Sequence, residues 1–181
     1  MVQTAPAESE KARAFQTLFR AELGYVWGSL RRLGVGARDA EDVAHDVFMR
    51  VYEKLDAYDR ERPLRPWLFG FAFRAASDYR RLARHRVEVI GEDADAPASA
   101  PLAEDAMAQA EDVALVAEAL DSIDLDRRAV LVAYELDECP MKEIAEALGI
   151  PLHTAYSRLR VAREELAAAV RRAKLRRGET S

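Results

Sequence analysis

The chain has one cysteine, Cys139, in 181 residues. It can form no internal disulfide and offers no thiolate metal cage. No apolar run approaches the roughly 20 residues needed to cross a bilayer, so no membrane insertion is expected. The opening MVQTAPAESEKARAF lacks the apolar core of a secretory signal, which makes a cytoplasmic location the expectation. An alternating strand pattern of useful length is also missing. The eight glycines and seven prolines fall mostly between periodic segments, leaving helices free to run uninterrupted. No nucleophile stands beside a base, no glycine loop is built to cradle phosphate, and no metal spacing appears. Neither an enzyme, a cofactor nor a metal is therefore expected.

Charge is present in quantity but unevenly placed. The net value of −5 hides four blocks of alternating sign. From Asp39 to Asp59 seven acids face only Arg50 and Lys54, and from Arg60 to Arg86 eight arginines face only Glu61 and Asp78. Eight acids and no lysine or arginine fill Glu88 to Asp112, and seven arginines with Lys174 then dominate Leu152 to Arg177. Net charge speaks to solubility, whereas blocks of this kind speak to partners.

Apolar residues recur at helical spacing almost throughout, which predicts an all-α protein. Phe15, Leu18, Phe19, Leu23 and Val26 mark a first helix ending near RLGVG. Asp39 is placed to cap a second, with Asp42 three residues on in the capping-box position. Val43, Val47, Val51 and Leu55 form that helix's stripe, DRERPLRP reads as a loop, and Trp67 to about Arg86 as a third helix. The aperiodic, acidic GEDADAPASAPLAED reads as a flexible linker. Two small helical domains are expected, at residues 10–87 and 112–175, joined by an acidic tether at 88–111.

Three stretches carry candidate function. In KEIAEALGIPLHTAYSRLRVAREEL, Ile144, Ala145 and Leu148 form the apolar face of a short helix. Gly149 can end that helix in the left-handed region, and Pro151 suits the next helix's first turn. Ala155, Leu159, Ala162 and Leu166 line one side of the following helix, while His153, Thr154, Tyr156, Ser157, Arg158, Arg160 and Arg163 occupy the others. That division fits a helix-turn-helix, whose second helix reads bases and phosphates; a helical hairpin with a solvated basic face is the plainer reading.

Asp42, Asp46, Met49 and Glu53 share one helical face. It is either a solvated acidic surface or a dock for a basic helical partner, with Met49 and Phe48 giving apolar contact. Glu41, His45 and Asp46 do not converge as a metal cage would. The third stretch, RPWLFGFAFRAASDYRRLARHR, mixes aromatics suited to a core with more arginines than its one acid can pair. Basic groups beside aromatics also suit single-stranded nucleic acid.

Taken in order, DAEDVAHDVFMRVYEKLDAYD, RPWLFGFAFRAASDYRR and MKEIAEALGIPLHTAYSRLRVAREEL resemble a bacterial RNA polymerase sigma factor of the extracytoplasmic-function (ECF) group within the sigma-70 family. The resemblance runs from about Phe15 to Arg172, apart from the linker. It implies a region 2-like first domain whose Asp42, His45, Asp46, Phe48, Met49 and Glu53 dock on the clamp coiled coil of core RNA polymerase. Arg60, Arg62, Arg65, Trp67, Arg74, Arg80, Arg81 and Arg84 would open and hold the minus-ten element. The region 4-like second domain would read the minus-thirty-five element of promoter DNA through His153, Thr154, Tyr156, Ser157, Arg158, Arg160 and Arg163, near the polymerase flap, with Arg158 serving a phosphate or the local packing. An anti-sigma factor is a further partner the resemblance implies. The chain departs from the family where His45 replaces a usual Gln, Arg74 a frequent Asn, His153-Thr154-Ala155 a common Gly-Thr-Val, and Val161 a common Arg. The competing reading is an independent helix-turn-helix regulator that dimerises on a palindrome without polymerase. It leaves the acidic face and aromatic segment of the first domain unexplained.

Overall fold

The computed structural model describes residues 5–90 and 104–176. Among these residues all regular structure is helical: α1 (Ala5–Arg32), α2 (Ala40–Lys54), α3 (Leu64–Ile90), α4 (Glu104–Asp121), α5 (Leu125–Leu131), α6 (Met141–Leu148) and α7 (Leu152–Arg176). The all-α expectation holds.

Helices α1 to α3 make the first unit. Val26 and Leu30 of α1, Val47 and Val51 of α2, and Leu68, Phe69, Ala72 and Ala76 of α3 are buried together, as their three-and-four spacing requires. Phe48 belongs to this core. It is 1% exposed and meets the Phe19 ring edge-on at 4.8 Å. The expectation that Phe48 offers apolar contact to a partner is therefore corrected: its position beside Val47 turns it inward.

Asp39 does precede α2, but its side chain makes no cap bond. It accepts a hydrogen bond from the Tyr79 hydroxyl at 2.7 Å instead, tying the start of α2 to α3. α3 is longer than its apolar pattern predicts and begins inside the expected loop. Pro66 falls in its first turn, where a missing N–H costs nothing.

The second unit wraps α4, α5 and α6 around α7, burying Leu120, Ile123, Ala129, Val130, Ile144, Ala155, Leu159 and Ala162. Gly149 ends α6 at φ +67 in the left-handed region, as its sequence position predicts. The sequence pattern did not reveal how α5 ends. A five-residue π turn, Val132–Leu136, follows it, and Glu138 takes φ +52. This costs a non-glycine residue about 1 kcal/mol and reverses the chain sharply before α6. α3 and α4 take up both ends of the expected 88–111 tether, and residues 91–103 lie outside those described.

The two units touch. α3 lies against α6, and at the point of contact stands Gly70, buried in the middle of α3. A Cβ there would sit 2.8 Å from the Ala147 carbonyl oxygen. Glycine inside a helix costs roughly 0.5–1 kcal/mol relative to alanine, so Gly70 is explained by α6 rather than by α3.

Candidate functional site

On α2 the residues Asp42, His45, Asp46, Met49 and Glu53 are all exposed. The opposite stripe of Ala40, Ala44, Val47 and Val51 is buried, so core packing fixes which face points out. Met49, 53% exposed, places an apolar patch in the middle of carboxylates. Arg50, on the same helix, is drawn toward Asp78 of α3 at 3.8 Å.

The basic segment is less uniform than its sequence predicts. Trp67 is half-buried in an aromatic row, with ring centroids 4.6 Å from Tyr58 and 5.0 Å from Phe71. The Arg74 guanidinium lies over Phe71 at 4.9 Å and donates to the Ala147 carbonyl at 3.4 Å; burial, and then Arg50 nearby, push its pKa down. Arg65 reaches Glu22 at 3.3 Å and stacks over Tyr25. Arg62 is bound by Glu143 and Glu146 of α6. Arg60, Arg81 and Arg84 are exposed. Arg80 departs from the expectation of a DNA-facing arginine: it is half-buried beside Gly34, and its charge is felt by the buried Arg128. Gly34 itself has φ +90, and a Cβ there would approach the Arg128 guanidinium at 2.8 Å.

On α7, His153, Tyr156, Ser157 and Arg160 are exposed on one side, opposite buried Ala155, Leu159 and Ala162. Thr154 is partly covered. Arg160 pairs only along its own helix with Glu164, leaving it 68% exposed. Arg163 is held at 2.6 Å by Glu135 and stacks on Tyr134. Arg158 turns to Asp126 at 2.7 Å, bracing α7 against the start of α5, which is the packing role open to it from the sequence.

Sequence reasoning missed a polar contact between the units. Asp137, just past the π turn, accepts from Arg32 at 2.8 Å and from the Tyr25 hydroxyl at 3.0 Å, both on α1. Burial raises the Asp137 carboxyl above its ordinary range, with Arg32 opposing; burial also pushes Tyr25 up, and lifts the neighbouring Cys139 thiol to about 11. Nothing in the sequence marks these residues as partners about a hundred positions apart. No group of three or more potential metal ligands occurs among the described residues.

An exposed acidic helix face, an aromatic-arginine helix and a helix-turn-helix thus occupy one chain in that order. Comparison with known proteins gives the same order. The Sigma-70 region 2 family model matches residues 18–86 and the Sigma-70 region 4 model residues 114–166. The ECF RNA polymerase sigma factor SigL of Mycobacterium tuberculosis is 30% identical over 163 residues, covering 90% of this chain and 92% of SigL. The chain belongs to the ECF RNA polymerase sigma factors.

SigW of Bacillus subtilis, also an ECF sigma factor, is 30% identical over 145 residues, 75% of this chain and 77% of its own. A structure of CnrH with the cytosolic domain of CnrY superposes with TM-score 0.62 at 25% identity over 87% of each chain. RpoE of Bartonella quintana in complex with the anti-sigma factor NepR shares the fold, with TM-score 0.72 at 20% identity over 88% of this chain and 98% of that one. As a sigma factor the chain binds core RNA polymerase and directs promoter-specific transcription initiation. The family consists of non-catalytic initiation factors. The reading as an independent dimeric regulator is not favoured, because the region 2 match covers the domain such a regulator lacks. No helix among the described residues is long and apolar enough to cross a membrane.

The two α7 arginines differ in what holds them, Asp126 of α5 for one and Glu164 of the same helix for the other. Arg158→Ala should lower the unfolding midpoint by the equivalent of about 1 kcal/mol, because it leaves Asp126 without its partner. Arg160→Ala should leave the midpoint unchanged and relax base preference at one promoter position, costing about 1–3 kcal/mol there. Thermal denaturation and a promoter-library screen of both variants check this.

Proposed function

We propose that the α2 face of Asp42, His45, Asp46, Met49 and Glu53 is the surface that docks on the clamp coiled coil of core polymerase, without Phe48. The observation that carries this is an exposed apolar residue ringed by carboxylates on a helix whose other side is locked in the core. A basic helix laid along it would bury Met49 and pair the acids. DNA, which the same chain must bind, is repelled from this face.

The loop Asp59 to Arg65 and the row Tyr58, Trp67, Phe71 form the minus-ten surface, with Arg60, Arg62, Arg65, Arg74, Arg81 and Arg84 around it. An unstacked base needs a flat partner and its phosphate needs a cation; the row and the arginines supply both. His153, Thr154, Tyr156, Ser157 and Arg160 read the minus-thirty-five element in the major groove, and Arg163 lies further along α7 for phosphate. The two functional domains lie at 10–87 and 112–175, with the ends of α3 and α4 reaching into the tether between them, and the second lies near the flap. The protein acts in the cytoplasm and catalyses no reaction. CnrH and RpoE are each seen with a protein partner, CnrY and the anti-sigma factor NepR, which supports an anti-sigma factor as a partner here.

Asp42→Lys with Asp46→Lys should abolish holoenzyme formation on a purified core polymerase while moving stability by less than about 0.5 kcal/mol per site. Gel filtration of the mixture and circular dichroism of the free variant measure the two effects; holoenzyme at normal affinity refutes the docking face.

The loop assignment predicts a different pattern. Unstacking a base costs a few kcal/mol, a cost absent from a template with a preformed bubble. In holoenzyme, Arg62→Ala should therefore transcribe poorly from duplex promoter and recover on the bubble template. Equal loss on both would make the loop a connector only.

A further inference from the structure

The outward side of α7 is polar along most of its length, and its first two turns are the exception. Leu152 opens the helix and is 45% exposed; Tyr156, one turn on, is 55% exposed. Beyond Tyr156 and as far as Lys174, every exposed position but Ala167 carries a hydroxyl or a charge. Residues four apart lie on one side of a helix about 6 Å apart along its axis, so Leu152 and Tyr156 make one apolar strip. The core does not use it, since Ala155, Leu159 and Ala162 fill the buried face.

The N-terminal turns of a reading helix are the part that meets base edges in the major groove. Every base there presents hydrogen-bond donors or acceptors, and thymine alone adds an apolar group, its C5 methyl. An apolar side chain laid on that methyl takes both out of water at a gain. Laid on the N7 and N6 of adenine or the N7 and O6 of guanine, it strips a polar edge of water and returns no hydrogen bond. We infer that Leu152 and Tyr156 are a methyl-reading strip that selects thymine at two positions of the minus-thirty-five element. The inference rests on the assignment of α7 to that element given above. It adds Leu152, which has no polar atom in its side chain, to the residues that choose the promoter. It also makes the ring of Tyr156, rather than its hydroxyl, the reading group. With base pairs about 3.4 Å apart, a strip of about 6 Å spans no more than about two steps, so the two thymines are close neighbours on either strand.

Deoxyuridine differs from thymidine only in lacking the methyl, which gives a test made on the DNA. Holoenzyme is bound to duplex fragments of a promoter mapped with the same holoenzyme, each thymine of the minus-thirty-five element on either strand being replaced in turn by deoxyuridine. Wild type should bind about 4-fold more weakly at two neighbouring thymines, the ratio that one buried methyl supplies. Leu152→Ala should bind the unmodified duplex about 4-fold more weakly and lose its response to deoxyuridine at one of the two. Tyr156→Ala should lose the response at the other, and Tyr156→Phe, which keeps the ring, should behave as wild type. Gel filtration with core polymerase confirms that each variant assembles. Wild-type holoenzyme indifferent to deoxyuridine at every position, or an element with no thymine on either strand, would overturn the inference. So would an undiminished response in Leu152→Ala. Failure of the alanine variants to assemble, with wild type indifferent to deoxyuridine, would make the strip a polymerase contact instead. The assignment of α7 itself is read from the Arg160→Ala promoter screen. Relaxed preference there, with indifference to deoxyuridine here, defeats the methyl strip and leaves that assignment standing.

Discussion

The approach of α3 to α6 at Gly70 and Ala147 sets the relation between the two halves of the molecule. Helix axes usually stand 8–10 Å apart, at a spacing set by the side chains between them. A glycine at the crossing removes that spacer on one side, and Ala147 keeps it minimal on the other. Because the backbones come this close, Arg74 reaches the Ala147 carbonyl and Arg62 reaches Glu143 and Glu146. The reversal after α5, with its π turn and the left-handed Glu138, presents Asp137 to Tyr25 and Arg32 along the same seam. Removing the glycine would leave each of these side chains intact and out of reach.

The charge blocks gain a physical meaning from this geometry. Basic and acidic stretches alternate along the chain, and the acid of one unit screens the base of the other. Exposed ion pairs contribute about 0–1 kcal/mol each, and the several at the seam are weak enough to be exchanged. Asp137 differs, since its carboxylate side chain is only 4% exposed and depends on Arg32 for compensation. Burying such a group is costly unless it is paired, so this contact fixes how the units meet more than how tightly they hold. A seam of that kind favours one arrangement of the two units.

Much of the fold was legible in the sequence because it follows from periodicity. The valine stripe gave α2, Gly149 gave the end of α6, and the split of α7 into Ala155-Leu159-Ala162 against His153-Tyr156-Ser157 gave the outward face. Phe48 was misplaced because it borders both the stripe and the acidic face, and only packing against Phe19 and Phe15 settles its direction. Arg80 was counted as a DNA contact, and Arg158 as serving a phosphate or the local packing, because composition does not show Gly34 or Asp126 beside them. The seam left almost no trace in sequence. Its one local sign is a glycine inside a helix, which has no use until a second helix is known to lie against it.

The two units of this sigma factor meet where α3 crosses α6. The most direct measurement is the distance between spin labels at Glu61→Cys and Lys142→Cys in a Cys139→Ser background, neighbours of Arg62 and Glu143 whose side chains meet. In the free protein that distance should be short. In the complex with core polymerase and promoter DNA it should lengthen toward the roughly 85 Å that separates two sites about 25 base pairs apart. A long distance in the free chain would contradict the contact of Arg62 with Glu143.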